Sequence, residues 1–294
     1  MFINIKISKN MITVILIIAL ALSVFSSIRA VSSVTSQAEA EPLTLPIIMY
    51  HGLLDKPDRE NDYMIDVQYF EEDLKYLRQN GFHTVLTEEV IQYFEKGEPL
   101  PENPIMLTFD DGYYNNYLYA YPLLKKYGFK AVISPIGITA DNEEIAENQG
   151  ERRKSPFYTQ CSWAELKEMQ DSGVFEIQNH TYNLHKIGER KGAAAISGES
   201  EKAYETLLKA DLNLFSKKMK EHLGKKPTAF VYPFGAKSET TLDIVKSLGY
   251  RAVFDCEEKI NIIYHSDQLY SLHRFLRPNH LSSKDFFVNT LGIG

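Results

Sequence analysis

PIMLTFDDG (residues 104–112) is an apolar run that ends in two adjacent carboxylates and a glycine. A run of this length and character reads as a buried β-strand, and the glycine after it as the turn that leaves the sheet. In a parallel α/β protein the C-terminal ends of strands are where active sites form. Asp110 and Asp111 cannot both be buried cheaply, because each ionised carboxylate raises the pKa of the other unless a cation or donor intervenes. Alone, the dipeptide reads more readily as a solvated Asp-Asp-Gly turn.

Outward from this strand, short apolar runs alternate with amphipathic stretches. Upstream, LPIIMY (45–50) and HTVLT (83–87) read as strands. Between them lies a helix over 67–81 that places Val67, Phe70, Leu74 and Leu77 on one face. EEVIQYFEKG (88–97) is a short helix. Downstream come a helix over 117–128, the strand KAVISPIG (130–137) and a capping box formed by Ser162 and Glu165. FEIQNH (175–180) is a strand, 200–223 a long helix and TAFVYP (228–233) a strand. A helix from Ser238 to Gly249 precedes the strand YRAVFD (250–255), and LYSLHRFL (269–276) with a capped helix from Ser282 completes the series. Residues 141–160 and 188–200 read as long surface loops. About seven strand–helix units in ~250 residues favour an α/β fold, a distorted (β/α) barrel of about seven parallel strands, over an open sheet. No glycine-rich nucleotide fingerprint follows the first strand.

Lys6 and Lys9 precede a run from Met11 to Ile28 that is apolar apart from a few hydroxyl residues, the pattern of a secretory signal. Residues 1–30 therefore read as a signal peptide, with Ala30 or Ala40 as cleavage points, or as an uncleaved signal anchor. Residues 31–44 read as a small, polar linker, leaving 45–294 as the folded domain, expected to be extracellular or on the cell surface. The net charge of -7, without a Lys/Arg block, argues against nucleic acid as a partner. Membrane contact is expected only through the N-terminal segment, and the chain is expected to be a monomer. Cys161 and Cys256 are the two cysteines. Export permits a disulfide between them, and two free thiols fit equally.

His180 and His185 follow the strand FEIQNH, again at a C-terminal strand end. Two imidazoles with one carboxylate suit zinc or a similar divalent ion and leave coordination positions open, as a catalytic site requires. A third histidine, His51, ends the strand LPIIMY. YPFG (232–235) ends TAFVYP, and Arg274 and Arg277 lie on or just after the last strand.

These residues together resemble the polysaccharide deacetylase family of carbohydrate esterases. Thr108-Phe109-Asp110-Asp111-Gly112 matches its first motif in full, and His180-Thr181-Tyr182-Asn183-Leu184-His185 is similar to its second. The His–His spacing is one residue longer than the common form, as in biofilm-type poly-N-acetylglucosamine deacetylases. Phe230-Val231-Tyr232-Pro233-Phe234-Gly235 resembles the third motif. The resemblance implies Asp111, His180 and His185 as ligands of one divalent metal, Zn2+ with Co2+ or Ni2+ as alternatives. It implies Asp110 as catalytic base and His51, in the N-terminal Tyr-His arrangement, as general acid. Phe234 (through its N–H), Tyr232 and Arg274 are expected on the oxyanion and substrate side. Two departures stand out. Position 230, where the family carries an arginine that orients the base, is Phe, with Arg274 or Arg277 as substitutes. His273 and His280 lack the context of the C-terminal acid motif.

The implied activity is removal of N-acetyl groups from an N-acetylglucosamine polysaccharide of the envelope or biofilm matrix. The alternative from another class is a catalytically silent carbohydrate-binding surface protein, which would be expected to have lost a ligand or the base. A two-carboxylate glycosidase needs acid and base ~5–10 Å apart across the sugar, which adjacent Asp110 and Asp111 do not supply.

Overall fold

The computed structural model of the chain describes residues 41–57 and 62–293. The expected signal segment (1–30) and the linker as far as residue 40 lie outside the described residues. Among the described residues, no helix is long and apolar enough to cross a membrane.

The strands are β1 (Leu43–Leu45), β2 (Ile47–Tyr50), β3 (Gly52–Leu54), β4 (Met64–Asp66), β5 (His83–Thr84) and β6 (Pro104–Asp111). They continue with β7 (Ala131–Pro135), β8 (Phe175–Ile177), β9 (Ala229–Val231), β10 (Ala252–Phe254), β11 (Asn261–Ile263) and β12 (Phe275–Leu276). The main sheet is parallel, in the order β12-β2-β6-β7-β8, with β5 paired to the start of β6. β9 and β10 form a second parallel pair. Single parallel bridges, Asn179↔Phe230 and Phe254↔Leu272, sit where β8 meets β9 and where β10 meets the chain entering β12.

The period-2 alternation of strand side chains sorts the core into two layers. Ile47, Met106, Val132, Ala229, Val231, Ala252 and Phe254 form one apolar cluster with Leu45 on the inner face. Their neighbours Ile48, Leu107, Phe109, Ile133 and Ile177 point outward, against Phe70, Leu74 and Leu77 of helix Val67–Gln79 and Phe215 and Met219 of helix Glu201–Leu223. Phe230 also points outward, packing with Tyr232, Tyr250, Leu208 and Leu212. Burying a side chain the size of Phe109 or Phe230 stabilises the fold by about 1.5–3 kcal/mol.

Several elements differ from their expected extents. Pro46 has no N–H to donate and separates β1 from β2; β1 takes in the end of the expected linker by pairing antiparallel with β11. Residues 141–149 are not loop but the latter part of helix Gly137–Gln149, ended by Gly150 in the left-handed conformation. The expected strand 269–276 shrinks to β12, preceded by a tight turn over Ser266–Ser271. Ser162 and Glu165 do form a capping box, opening helix Trp163–Asp171. Cys161 and Cys256 are both free, the first buried and the second exposed.

Candidate active site

Alternation puts Thr108 and Asp110 on the inner face of β6, with Met106. A straight strand would then send Asp111 outward. Instead Asp111 (φ 67°) and Gly112 (φ 74°) take the left-handed conformation, which turns the chain so that both carboxylates reach the same rim. The turn needs glycine at 112 for a second reason: a Cβ there would stand 2.9 Å from the Cα of Pro135. Thr181 (φ 71°) and Phe234 (φ 58°) are left-handed too, so three of the five described non-glycine residues with positive φ lie at this rim. Such conformations cost roughly 1–3 kcal/mol each and cluster where a fold positions functional groups.

The Asp111 Oδ1 atom lies 3.5 Å from His180 Nε2 and 3.2 Å from His185 Nε2. His180 Nδ1 is 3.0 Å from the carbonyl oxygen of Val231, to which it donates, so Nε2 presents its lone pair to Asp111. Asp111 Oδ1 is buried and has no hydrogen-bond partner. One carboxylate oxygen and two imidazole nitrogens converging in this way are the donor set of a divalent cation, and these residues fit a metal of the zinc type. Burial opposes charge on His180, but Asp110 and Asp111 outweigh it and raise its pKa. Burial, then the charge of His180, lowers that of His185. The His185 ring leans on Phe234, centroids 4.3 Å apart.

Asp110 stands behind this triad. Arg274 grips it with two parallel bonds, Nη1–Oδ1 at 2.7 Å and Nη2–Oδ2 at 2.8 Å, and donates its Nε–H to the carbonyl oxygen of Asp255. Burial alone would raise the Asp110 pKa; the charge of Arg274, then that of His180, holds it well below the usual carboxylate range. His51 caps β2 on the same rim. Its Nδ1 is buried without a partner, its ring meets Tyr63 edge-on at 4.8 Å, and burial lowers its pKa against the pull of Asp110 and Asp111.

Other expected site residues are placed differently. Arg274 was expected beside substrate, but it is fully buried with its donors on Asp110, Asp255, Thr108 and Cys256. Tyr232 lies with its ring in the outer apolar cluster. The turn that follows it keeps Phe234 at the rim, with turn bonds from Gly235 to Tyr232 and from Ala236 to Pro233. Arg277 pairs with Asp73 in the core. His273 pairs with Asp255, and His280 is exposed. A second acidic group, Asp255, Glu257 and His273, also comes together, but Asp255 already bonds His273 and faces Lys237. Two residues at the rim carried no sequence signal. Tyr113 hydrogen-bonds Asp111, and burial followed by that charge raises its hydroxyl pKa. Asn179 receives the N–H of Thr181, fixing the turn between the histidines.

The Escherichia coli K12 poly-beta-1,6-N-acetyl-D-glucosamine N-deacetylase is 27% identical over 254 residues, which are 81% of this chain and 37% of the relative. The chain thus spans little more than a third of that relative's length. Two solved structures superpose well. A de-N-acetylase from Aggregatibacter actinomycetemcomitans has a TM-score of 0.68 and 25% identity over 82% of this chain and 97% of that one. IcaB from Ammonifex degensii has 0.65 and 29% over 80% and 92%. The family model for polysaccharide deacetylases matches residues 97–253, across the strands that carry Asp110, Asp111, His180 and His185, and the chain belongs to that family.

Proposed function

We propose that this protein removes N-acetyl groups from a poly-N-acetylglucosamine-type polysaccharide outside the cytoplasm, by metal-assisted hydrolysis. The observation that carries the reading is the bare convergence of Asp111 Oδ1, His180 Nε2 and His185 Nε2 beside an arginine-locked carboxylate. The names of its relatives supply the substrate class. We also read β2, β6, β7, β8, β9, β10 and β12 as a distorted barrel closed through the two single bridges.

In this reading Asp111, His180 and His185 hold the ion. A divalent metal held there would supply an acidified water and polarise the amide carbonyl. Asp110 stays ionised at any working pH and takes the proton of the attacking water. Arg274 keeps the two oxygens of Asp110 in one orientation. His51 donates a proton to the departing sugar nitrogen, and the backbone N–H of Phe234 donates to the oxyanion, a contact commonly worth ~3 kcal/mol in the barrier. Zn2+ is the proposed ion, with Co2+ or Ni2+ able to serve.

Acetate release from de-N-acetylatable polymers tests this. Treatment with a chelator abolishes turnover and added divalent metal restores it; chelator-resistant release overturns the metal role. A protein that binds the polymer and releases no acetate under any metal would be the silent carbohydrate-binding alternative.

A further inference from the structure

The two histidines of the triad are held unequally. His180 is buried and tied to the Val231 carbonyl, whereas His185 is half-buried at the far end of a four-residue loop. Within that loop the backbone N–H groups find side-chain acceptors: Thr181 donates to Asn179 Oδ1 at 2.7 Å, and Leu184 to Thr181 Oγ1 at 3.2 Å. The two in the middle go to one residue on another element. Tyr182 N–H donates to Asp211 Oδ1 at 2.7 Å and Asn183 N–H to Asp211 Oδ2 at 2.8 Å. Asp211 sits in helix Glu201–Leu223, whose apolar face is anchored in the core through Tyr204, Leu208, Leu212 and Phe215. Helix Gly137–Gln149 holds the other side of the loop. Gly137 and Ile138 donate to the carbonyls of Thr181 and Tyr182, and the Tyr182 hydroxyl donates to Asp141 at 2.8 Å. Asp141 is itself fixed by Trp163 and Lys218.

We propose that Asp211 is a positioning residue for the metal centre: its two oxygens clamp the loop between the histidine ligands and so deliver His185 to Asp111. The proposal rests on reading Asp111, His180 and His185 as the metal triad. A carboxylate accepting two adjacent peptide N–H groups fixes both the path and the orientation of that short segment. Asn at 211 keeps the size but has one oxygen and turns a donor toward one of the two N–H groups, so the loop loses a bond and gains a repulsion.

The test is Co2+ binding to the full, chelator-stripped chain, followed by visible absorption and calorimetry. Wild type takes up one Co2+ per chain, and His185→Ala abolishes it. Asp211→Asn is expected to weaken Co2+ affinity about 10- to 100-fold, the range for partners that orient metal ligands, at a temperature where both proteins are folded. A merely structural role lowers the melting temperature and leaves affinity unchanged. If Asp211→Asn fails to fold, Asp211→Ser, which retains a neutral acceptor, serves in the same titration. Undiminished affinity in a folded Asp211 variant, beside a wild type that binds, overturns the clamp alone. A wild type that takes up no Co2+ overturns the triad reading and the clamp with it.

Discussion

Arg274 and Arg277, three residues apart, each grip a buried carboxylate with two bonds, Arg274 end-on through both Nη atoms and Arg277 side-on through Nε and Nη2. Arg274 holds Asp110 at 2.7 and 2.8 Å; Arg277 holds Asp73 at 2.9 and 3.0 Å. The larger difference is in what else meets each carboxylate. Asp73 receives the Tyr50 hydroxyl at 3.0 Å, while Arg277 also donates to the carbonyls of Pro278 and Leu281, so the pair is closed on all sides by protein. Asp110 faces His51, His180 and the triad, and no hydroxyl blocks it. The comparison teaches that a bidentate arginine does not by itself mark a catalytic carboxylate. The open side does.

The largest effect that separates the pairs is on turnover. Asp110→Asn should fold and still bind metal, yet lose kcat by on the order of 10²–10⁴-fold, the usual share of a general base. Asp73→Asn should keep kcat within a few-fold at temperatures where it is folded. Steady-state acetate release decides, and wild-type rates in Asp110→Asn would end the assignment of the base. Next comes stability. Asp73→Asn leaves the guanidinium of Arg277 buried without its counter-charge and should cost about 3–5 kcal/mol in chemical denaturation. Replacing both partners by apolar residues (Asp73→Leu with Arg277→Met) should recover most of that loss.

A smaller effect sharpens the role of Arg274. Arg274→Lys keeps the charge but loses the fork that fixes both Asp110 oxygens. It should lower kcat by roughly 10- to 100-fold, a typical consequence of a slight misplacement, with KM little changed. A rise in KM at constant kcat would instead return Arg274 to the substrate. The smallest effect is on pH. The folded pKa of Asp110 is depressed, so its pair stabilises the protein fully above the ordinary carboxylate value of ~3.9 and loses that stabilisation as pH falls below it. Tyr50 is the reverse case. Burial, then Asp73, raises its pKa, so its contribution is intact below the ordinary phenol value of ~10 and is lost as pH rises beyond it. Melting temperatures against pH should show Asp110→Asn flattening the acid limb and Tyr50→Phe the alkaline one. Equal behaviour at both ends would erase the distinction.

Much of the rim was legible in the sequence because strand ends announce themselves. An apolar run that stops at a charged or imidazole residue places that residue at the C-terminal edge of the sheet, and His51, Asp110 and His180 all follow this rule. Asp111 and His185 were legible only through motif, since their positions depend on left-handed turns at 111 and 181 that a strand pattern does not encode. The partner of Asp110 was not legible. Which of Arg274 and Arg277 faces inward is set by a two-residue strand, too short for alternation to be read, and the spacing of three between them gives no preference. The helix over residues 141–149 was hidden by its composition, polar with little apolar periodicity. It is held instead by Ala140 and Asp141 against the core and by bonds to the histidine loop. Phe230 looked like a missing arginine, yet its outward orientation makes it an ordinary core residue. Tyr113 and Asp211 act through contacts across the fold, for which neighbouring residues offer no cue.

The pairing of Arg274 with Asp110 joins residues 164 positions apart, and β12 beside it registers Phe275 against Ile48 of β2. In a chain synthesised from its N-terminus, His51, Asp110, Asp111, His180 and His185 all emerge before the guanidinium that neutralises Asp110. Contacts this distant in sequence form late and set a slow pace for folding. Until they form, Asp110 lacks the charge that makes its burial tolerable, so the last short strand acts as the latch on which the proposed catalytic centre depends. A chain that stops short of β12 is therefore expected to lack a formed site.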